Sequence, residues 1–292
     1  MIRQKQSGHH QLKHQRMIIG IDIGGSTTKI VGIQNGKIIN PLTVEANDPI
    51  ASASGAMGKF LSVNSLGLKD IKKVRLTGVG ATFLDNTLLG IPIEKVDEFR
   101  SLGYGGLFLS DLRQGIIVSM GTGTAFVKAH GRCVSHLGGT GMGGGTIKGL
   151  ARAMVNLSSI DSVIALATKG KLTHVDLSIG DISHSVIGNL PSTLTASNFG
   201  KMNDDASAAD VSLAILNMVF QVVGMMAIFA ARTHKDTDIV MTGKLVSIPP
   251  AQKIFRELSR LYRVRFHVPN HASYCTAIGA AIFGEAEEFI AG

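Results

Sequence analysis

The sequence predicts an α/β protein of two domains, each opening with a duplicated β-meander and continuing into helices that alternate with strands. Three observations carry this. The 292 residues amount to about two domains at roughly 150 residues each. A pattern of apolar strand, turn of small residues and second β-prone strand occurs twice, at 18–31 and 116–127. After each meander, helical and strand-like stretches alternate, as they do where helices cover a mixed sheet.

The elements follow in order. Ile18-Ile19-Gly20-Ile21-Asp22-Ile23 reads as a strand, Gly24-Gly25-Ser26-Thr27 as a turn, and Thr28-Lys29-Ile30-Val31 as the returning strand. Asn35-Gly36 is a strong hairpin signal, so Lys37-Ile38-Ile39 begins a third antiparallel strand. A helix is expected over 51–66, a strand over 73–78 and a helix over 101–112, with the domains 17–117 and 118–292 joined near residue 117. The second meander runs through Gly121-Thr122-Gly123-Thr124, then through His130-Gly131 into Arg132-Cys133-Val134. A glycine-rich loop at 138–146 feeds a helix from about 147 to 156. Later come a long helix ending near Thr233, a strand over 238–242, a helix around 250–262, a strand over 264–268 and a last helix from about 272.

Composition excludes several classes. Hydrophobic residues at 45% and charged residues at 17% supply a packed core and exclude a disordered chain. The two cysteines, Cys133 and Cys275, exclude a disulfide framework, have no metal-ligand spacing, and suit a reducing, cytoplasmic setting. Half of the net charge of +8 comes from Arg3, Lys5, Lys13 and Arg16 in a leader, 1–16, that contains no acid. This leader lacks an apolar core segment, so it reads as a disordered extension and not as a secretory signal. The remaining excess reads as thinly spread and Trp is absent, so no nucleic-acid surface is expected. The apolar run 213–231 is interrupted by Asn217 and Gln221, four residues apart on one helical face. That suits a core helix or a subunit interface better than a membrane span.

The chemistry concentrates at the glycine turns. Asp22 precedes Gly24-Gly25, followed by hydroxyls at Ser26, Thr27 and Thr28 and a cation at Lys29. Small residues let backbone N–H groups face an oxyanion, and a strand-end Asp can hold a hydrated Mg²⁺; an ordinary tight hairpin with a surface Asp is the alternative. The turn at 119–124 repeats the arrangement in the other domain, so that two facing hairpins would clamp nucleotide phosphates. Neither turn is a phosphate loop of the kind that leads directly into a helix. Gly143-Gly144-Gly145 reads either as a linker or as an anion site at a helix N-terminus.

Asp22-x-Gly-Gly and Ser119-x-Gly-Thr-Gly-Thr resemble the sugar kinase, heat-shock chaperone and actin superfamily. Within it, the chain is similar to the type II (eukaryotic-like) pantothenate kinases over nearly all of 17–292. The motifs are 20–29, Leu76-Thr-Gly78, Glu98-Phe99, Gly121-Thr-Gly-Thr124, 138–145, Leu194-Thr-Ala-Ser-Asn-Phe-Gly200 and Ala277-Ile-Gly-Ala280. The resemblance implies a two-domain actin-like ATPase (ribonuclease H-like) fold, ATP and Mg²⁺ as cofactors, a homodimer through the long helix, and phosphorylation of the pantothenate 4′-hydroxyl, the first step of coenzyme A synthesis. It implies Glu98 as general base, with Asp97 as competitor, and Asp22 as organiser of Mg²⁺ through water.

The resemblance further places Gly24, Gly25, Ser26, Thr27, Thr28 and Lys29 at the phosphates, and Thr122 and Gly123 in the crevice that takes phosphates and substrate. Gly143, Gly144, Gly145, Thr146, Ile147, Gly243 and Lys244 would meet the nucleotide. His136 stands where the family tends to carry an Arg near the substrate, and either His136 or Arg132 would do that work. Lys244 stands where a small hydroxyl residue is common, which leaves the backbone of Gly243 as the contact there. A sugar or amino-sugar kinase of the same superfamily, and a non-catalytic nucleotide-dependent module, are the alternative functions. An activating ATPase for a dehydratase would need a cluster-ligating cysteine arrangement that Cys133 and Cys275 do not offer.

Overall fold

The computed structural model describes residues 17–25, 27–45, 47–183, 185, 188 and 190–285; the leader 1–16 and Ser26 lie outside them. The first meander comprises β1 (Met17–Ile23), β2 (Thr28–Gln34) and β3 (Lys37–Val44). All seven residues of β1 are buried, as befits a central strand covered on both faces. Asn35 and Gly36 both have positive φ, 51° and 72°, the backbone that a two-residue hairpin matched to strand twist demands. Helix α1 (Pro49–Val63) starts two residues before the expected position. Asp48 caps it by accepting from the Ala51 N–H at 2.7 Å, and Pro49 suits the first turn, where no N–H is needed.

The first half continues with β4 (Ile71–Thr77), β5 (Thr87–Leu88), β6 (Ile91–Lys95) and α2 (Glu98–Ser110). The second contains β7 (Gln114–Met120), β8 (Thr124–His130), β9 (Cys133–Thr140), α3 (Gly144–Val155) and α4 (Ile160–Ala167). Next come β10 (Leu177–Ser178), α5 (Ile179–Ile182), β11 (Thr195–Ser197) and α6 (Ala208–Thr233). The chain finishes with β12 (Asp238–Thr242), α7 (Pro249–Tyr262), β13 (Arg265–His267) and α8 (Cys275–Ile282). Residue 117 lies within β7, which opens the second sheet three residues earlier. Residues 138–140 extend β9, where they were expected to begin the glycine loop, because Gly138, Gly139 and Thr140 pair with Phe126, Ala125 and Thr124. The helix expected from 272 begins with a single 3-10 turn, Ala272–Tyr274.

The duplication extends beyond the meanders. The sheets run β3-β2-β1-β4-β6-β5 and β13-β12-β7-β8-β9, so reading the second backwards gives the same order through five strands. In each, the first strand pairs in parallel with the next strand of its own sheet after the meander, β1 with β4 and β7 with β12. That strand ends in Thr-Gly with the glycine at positive φ, Gly78 at 86° and Gly243 at 105°. A 3-10 turn follows in both cases, Val79–Phe83 and Lys244–Ser247.

Two helices interlock the halves. Leu102 and Leu107 of α2 pack with Ile117, Val127 and Val240 of the second sheet. Ala277, Ile278 and Ala281 of α8 pack with Ile18 and Val31 of the first. Glycines bring α2 and α8 into backbone contact: a Cβ at Gly279 would lie 1.7 Å from the Ser101 carbonyl oxygen. On the opposite face of the second sheet, Ile116 and Val118 meet Ile215, Val219 and Phe220 of α6, following the two-residue alternation of a strand. Helix α6 is long and apolar enough to span a membrane, yet 56% of that window is buried inside the protein. Asn217 is buried and donates to Asp176 Oδ2 at 2.7 Å and Thr195 Oγ1 at 3.2 Å, while the Phe199 N–H donates to Asp176 Oδ1 at 2.9 Å. The two polar residues of the apolar run thus moor residues 194–200 to the core.

Candidate active site

Asp22 lies one residue before the end of β1, directly paired with Lys29 across the hairpin. Its Oδ2 is 3.5 Å from Lys29 Nζ. Burial raises the Asp22 carboxyl above the usual range, and the Lys29 charge and hydrogen bond pull in the opposite direction. The turn is closed by the Gly24 N–H donating to Thr27 O at 3.0 Å. Gly24 and Thr27 are half-buried and Gly25 is exposed, which leaves the tip open to a ligand. Thr28 departs from expectation: it is buried, and its hydroxyl accepts from Ser52 Oγ at 2.6 Å. The pairing of Thr28 with Val44 at the start of β2 turns that side chain toward α1 and away from the turn.

Gly78 backs Asp22. A Cβ there would lie 2.6 Å from Asp22 Oδ1, so only glycine permits the parallel neighbour, Thr77, and its following turn to close on the carboxylate. The Thr77 hydroxyl is buried without a hydrogen-bond partner. This Thr-Gly turn was legible as a motif, but its place beneath Asp22 came only with the parallel pairing of β1 and β4.

Glu98 is the first residue of α2 and Asp97 its N-cap, with Asp97 Oδ1 accepting from the Arg100 N–H at 2.9 Å. The competitor carboxylate is therefore engaged in capping, whereas the side chain of Glu98, equally exposed, makes no hydrogen bond among the described residues. The division between them comes from helix capping, not from the strand alternation that adjacent residues on an extended segment would show. Desolvation by the cleft walls raises the Glu98 carboxyl above the usual glutamate range; the charges of Asp22 and Asp97 add to this and Lys29 opposes it. The structure thus brings Asp22, Lys29 and Glu98 into one electrostatic cluster. Phe99, next to Glu98, stacks on His136 of β9 with ring centroids 3.9 Å apart and planes 17° from parallel. That contact, unforeseen in the sequence, holds the imidazole beside the start of α2.

The second turn is open at Thr122, which is exposed, and at the half-buried Gly123, with the Gly121 N–H donating to Gly123 O at 2.9 Å. The start of α3 is not the bare anion site expected. The N–H groups of Gly144 and Gly145 donate to Gly121 O and Thr122 O at 2.9 and 2.8 Å. The Thr146 hydroxyl donates to Gly141 O at 2.7 Å and accepts from the Gly143 N–H. Ile147 is fully buried in the core, and its N–H donates to Gly143 O. The glycine loop therefore staples the β7–β8 turn to α3 by its own hydrogen bonds, with Gly145 the exposed residue of Gly143-Gly144-Gly145. Gly243 has its Cβ position 2.2 Å from Met120 O, and Lys244 is exposed, 3.7 Å from Asp161.

Among the described residues no group of three or more His, Cys, Asp or Glu side chains could enclose a metal ion. The Asp22 carboxylate, beside the Lys29 ammonium, is the donor type that suits a hard divalent cation keeping most of its water.

Residues 114–282 match the Fumble family model. The chain is 30% identical over 241 residues to a type II pantothenate kinase of Bacillus cereus, covering 77% of this chain and 82% of that one. It is 26% identical over 274 residues to a type II pantothenate kinase of Oceanobacillus iheyensis, covering 90% and 98%. Among solved structures it is similar to the activator of the 2-hydroxyisocaproyl-CoA dehydratase from Clostridium difficile, with TM-score 0.64, 19% identity and coverage of 93% and 96%. A glucokinase of the ROK family from Streptomyces griseus gives TM-score 0.57, 11% identity and coverage of 91% and 98%. At these identities the structural likenesses establish the fold alone, that of the actin-like ATPases.

Proposed function

The chain belongs to the Fumble family, the type II pantothenate kinases, and from that premise we propose that it transfers the γ-phosphoryl group of ATP to the 4′-hydroxyl of pantothenate, the entry step to coenzyme A. The observation that carries this reading is Glu98, open at the mouth of the cleft beside Asp22 and Lys29, while its neighbour Asp97 caps α2. A primary alcohol is a poor nucleophile at neutral pH, and a positioned base whose pKa lies nearer neutrality removes the proton more effectively. The hydroxyl oxygen forms a bond to the γ-phosphorus, the bond to the β–γ bridging oxygen breaks, the electron pair leaves with ADP, and Glu98 takes the proton.

Asp22 would hold Mg²⁺ through water. That ion supplies charge neutralisation on the phosphate oxygens when bound. Lys29 and the open N–H groups of the turns at Gly25 and Thr122-Gly123 orient the phosphates, with Gly24 shaping the first turn, while Gly145 and Gly243 border the nucleotide and His136 faces the substrate. The lobes 17–117 and 118–292 flank the cleft, with α2 and α8 exchanged between them. Met218, Val222, Met225 and Phe229 leave an apolar stripe at spacings of four, three and four along α6, with Phe229 56% exposed. That stripe supports a homodimer formed through α6, working in the cytoplasm.

ADP release measured with and without pantothenate tests the reading. Pantothenate-dependent release is expected. Release driven instead by a hexose or amino sugar would assign the chain to sugar phosphorylation, and nucleotide binding without either would make it a non-catalytic module. Cys275 is buried with its thiol pushed up to about 12, whereas Cys133 is exposed. This placement gives no pair of cluster-ligating thiolates and argues against an activator role.

A further inference from the structure

The charge left after the leader is not thinly spread. The cations Lys253, Arg256, Arg260, Arg263 and Arg265 stand against the single acid Glu257 within residues 249–265, a net of four that equals the whole excess outside the leader. The first four are exposed; Lys253, Arg256 and Arg260 recur at spacings of three and four and so form one stripe along α7, and Arg263 follows as its left-handed C-cap residue. Arg265 pairs with Asp238, but none of these four makes an ion pair among the described residues. The opposite face of α7, with Ala251, Ile254, Phe255 and Leu258, is buried, which fixes the stripe outward.

Beside the stripe lies a cavity of about 170 Å³ lined by Gln252, Phe255, Arg256, Ser259, Phe266 and Val268. Its floor is the stacked pair Phe255 and Phe266, with ring centroids 5.2 Å apart. Small-molecule sites usually measure about 300–1,000 Å³, so this one is matched to a single apolar side chain. It faces away from the cleft, since α7 packs on α6 on the side of the second sheet opposite α2.

We propose that this face of α7 docks an acidic peptide segment of a partner protein, whose carboxylates meet the arginine stripe and whose apolar side chain fills the Phe255–Phe266 cavity. From Lys253 to Arg260 the helix rises about 10 Å, the span of an extended segment of about three residues. A nucleobase needs an open aromatic face to stack on, whereas Phe255 is 2% exposed and already stacked on Phe266. An anionic membrane would meet only the cations and leave the cavity unfilled, because no large exposed hydrophobic residue lies on α7 to insert. The cavity therefore favours a polypeptide over either.

A fluorescent peptide, Glu-Glu-Glu-Phe-Glu-Glu-Glu, titrated with the full chain and read by polarisation, tests this. Saturable binding is expected, weakened at least about tenfold by Arg256→Glu with Arg260→Glu and again by raising the salt to about 0.5 M, since exposed charges are screened. Replacing the peptide's Phe by Ala should weaken binding about fivefold or more on the unaltered chain, so this arm holds even where the double variant fails to fold. Turnover of the double variant should be unchanged, because neither residue touches the cleft. No saturable binding up to about 1 mM, equal binding of the Ala peptide, or tighter binding of charge-matched single-stranded DNA or of phosphatidylglycerol vesicles would overturn the proposal.

Discussion

Replacing Glu98 by Gln should make the protein slower and more stable at once. The amide keeps the volume and a hydrogen bond to the substrate hydroxyl but cannot accept its proton. General-base catalysis contributes about 10²–10⁴-fold, or about 3–5 kcal/mol of barrier, so kcat should fall within that range while ATP and pantothenate still bind. The stability effect follows from the raised carboxyl. Desolvation and the charge of Asp22 make folded Glu98 hold its proton more tightly than the unfolded chain does. Ionised Glu98 therefore costs stability above its unfolded pKa, and stability is recovered as pH falls through the raised folded value. Glu98→Gln removes that cost, so its Tm should exceed that of the parent at neutral pH, and the gap should close on acidification as the parent becomes neutral too. The acidic limb of the kcat/KM profile, set in the parent by the raised carboxyl, should vanish. Asp97→Asn, which retains a good N-cap, should change turnover little, whereas Asp97→Ala should cost about 1 kcal/mol of stability by freeing the Arg100 N–H. Stopped-time ADP assays and thermal melts across pH check all of this. A crippled Asp97→Asn beside a nearly normal Glu98→Gln would refute the argument from capping.

Asp22→Asn should lower turnover far more than nucleotide affinity, measured by ADP release and by ATP titration at saturating Mg²⁺, because a neutral amide holds the hydrated ion poorly. Gly279→Ala should cost more than about 3 kcal/mol in urea unfolding, since its Cβ would sit 1.7 Å from the Ser101 carbonyl oxygen and helices in backbone contact cannot yield that distance without parting. Asn217→Leu should cost about 2–3 kcal/mol by the same measurement, because the buried carboxylate of Asp176 loses its shortest side-chain donor. A thiol reagent should label Cys133 rapidly and Cys275 only on unfolding, read as one fast and one slow equivalent, since Cys275 is buried with its thiol raised to about 12.

The meanders, their glycine turns and Asp22 beside them were legible in the chain because each depends on neighbours within a few residues, whereas Glu98 came from the family resemblance. Strand alternation, the Asn35-Gly36 hairpin and the small residues at 24–25 and 121–123 are local backbone requirements, and local requirements leave a mark on composition. The family motifs carried the roles of residues that spacing alone left open. Long-range contacts decided the rest. Thr28 and Ile147 look like ligand residues in a one-dimensional motif, yet Ser52 and the core of the second half turn them inward. Asp97 and Glu98 are told apart by where α2 begins, since Asp97 caps the helix through the Arg100 N–H and Glu98 is its first residue. The exchange of α2 and α8 between sheets, made possible where Gly279 meets Ser101, has no local signature, because a glycine that permits helix contact reads the same as one that makes a turn. Sequence by itself determined the two glycine turns that open each meander; only the tertiary structure decided which donors remain open, since the Gly144 and Gly145 N–H groups bond to the distant carbonyls of Gly121 and Thr122 and are no longer free for another acceptor.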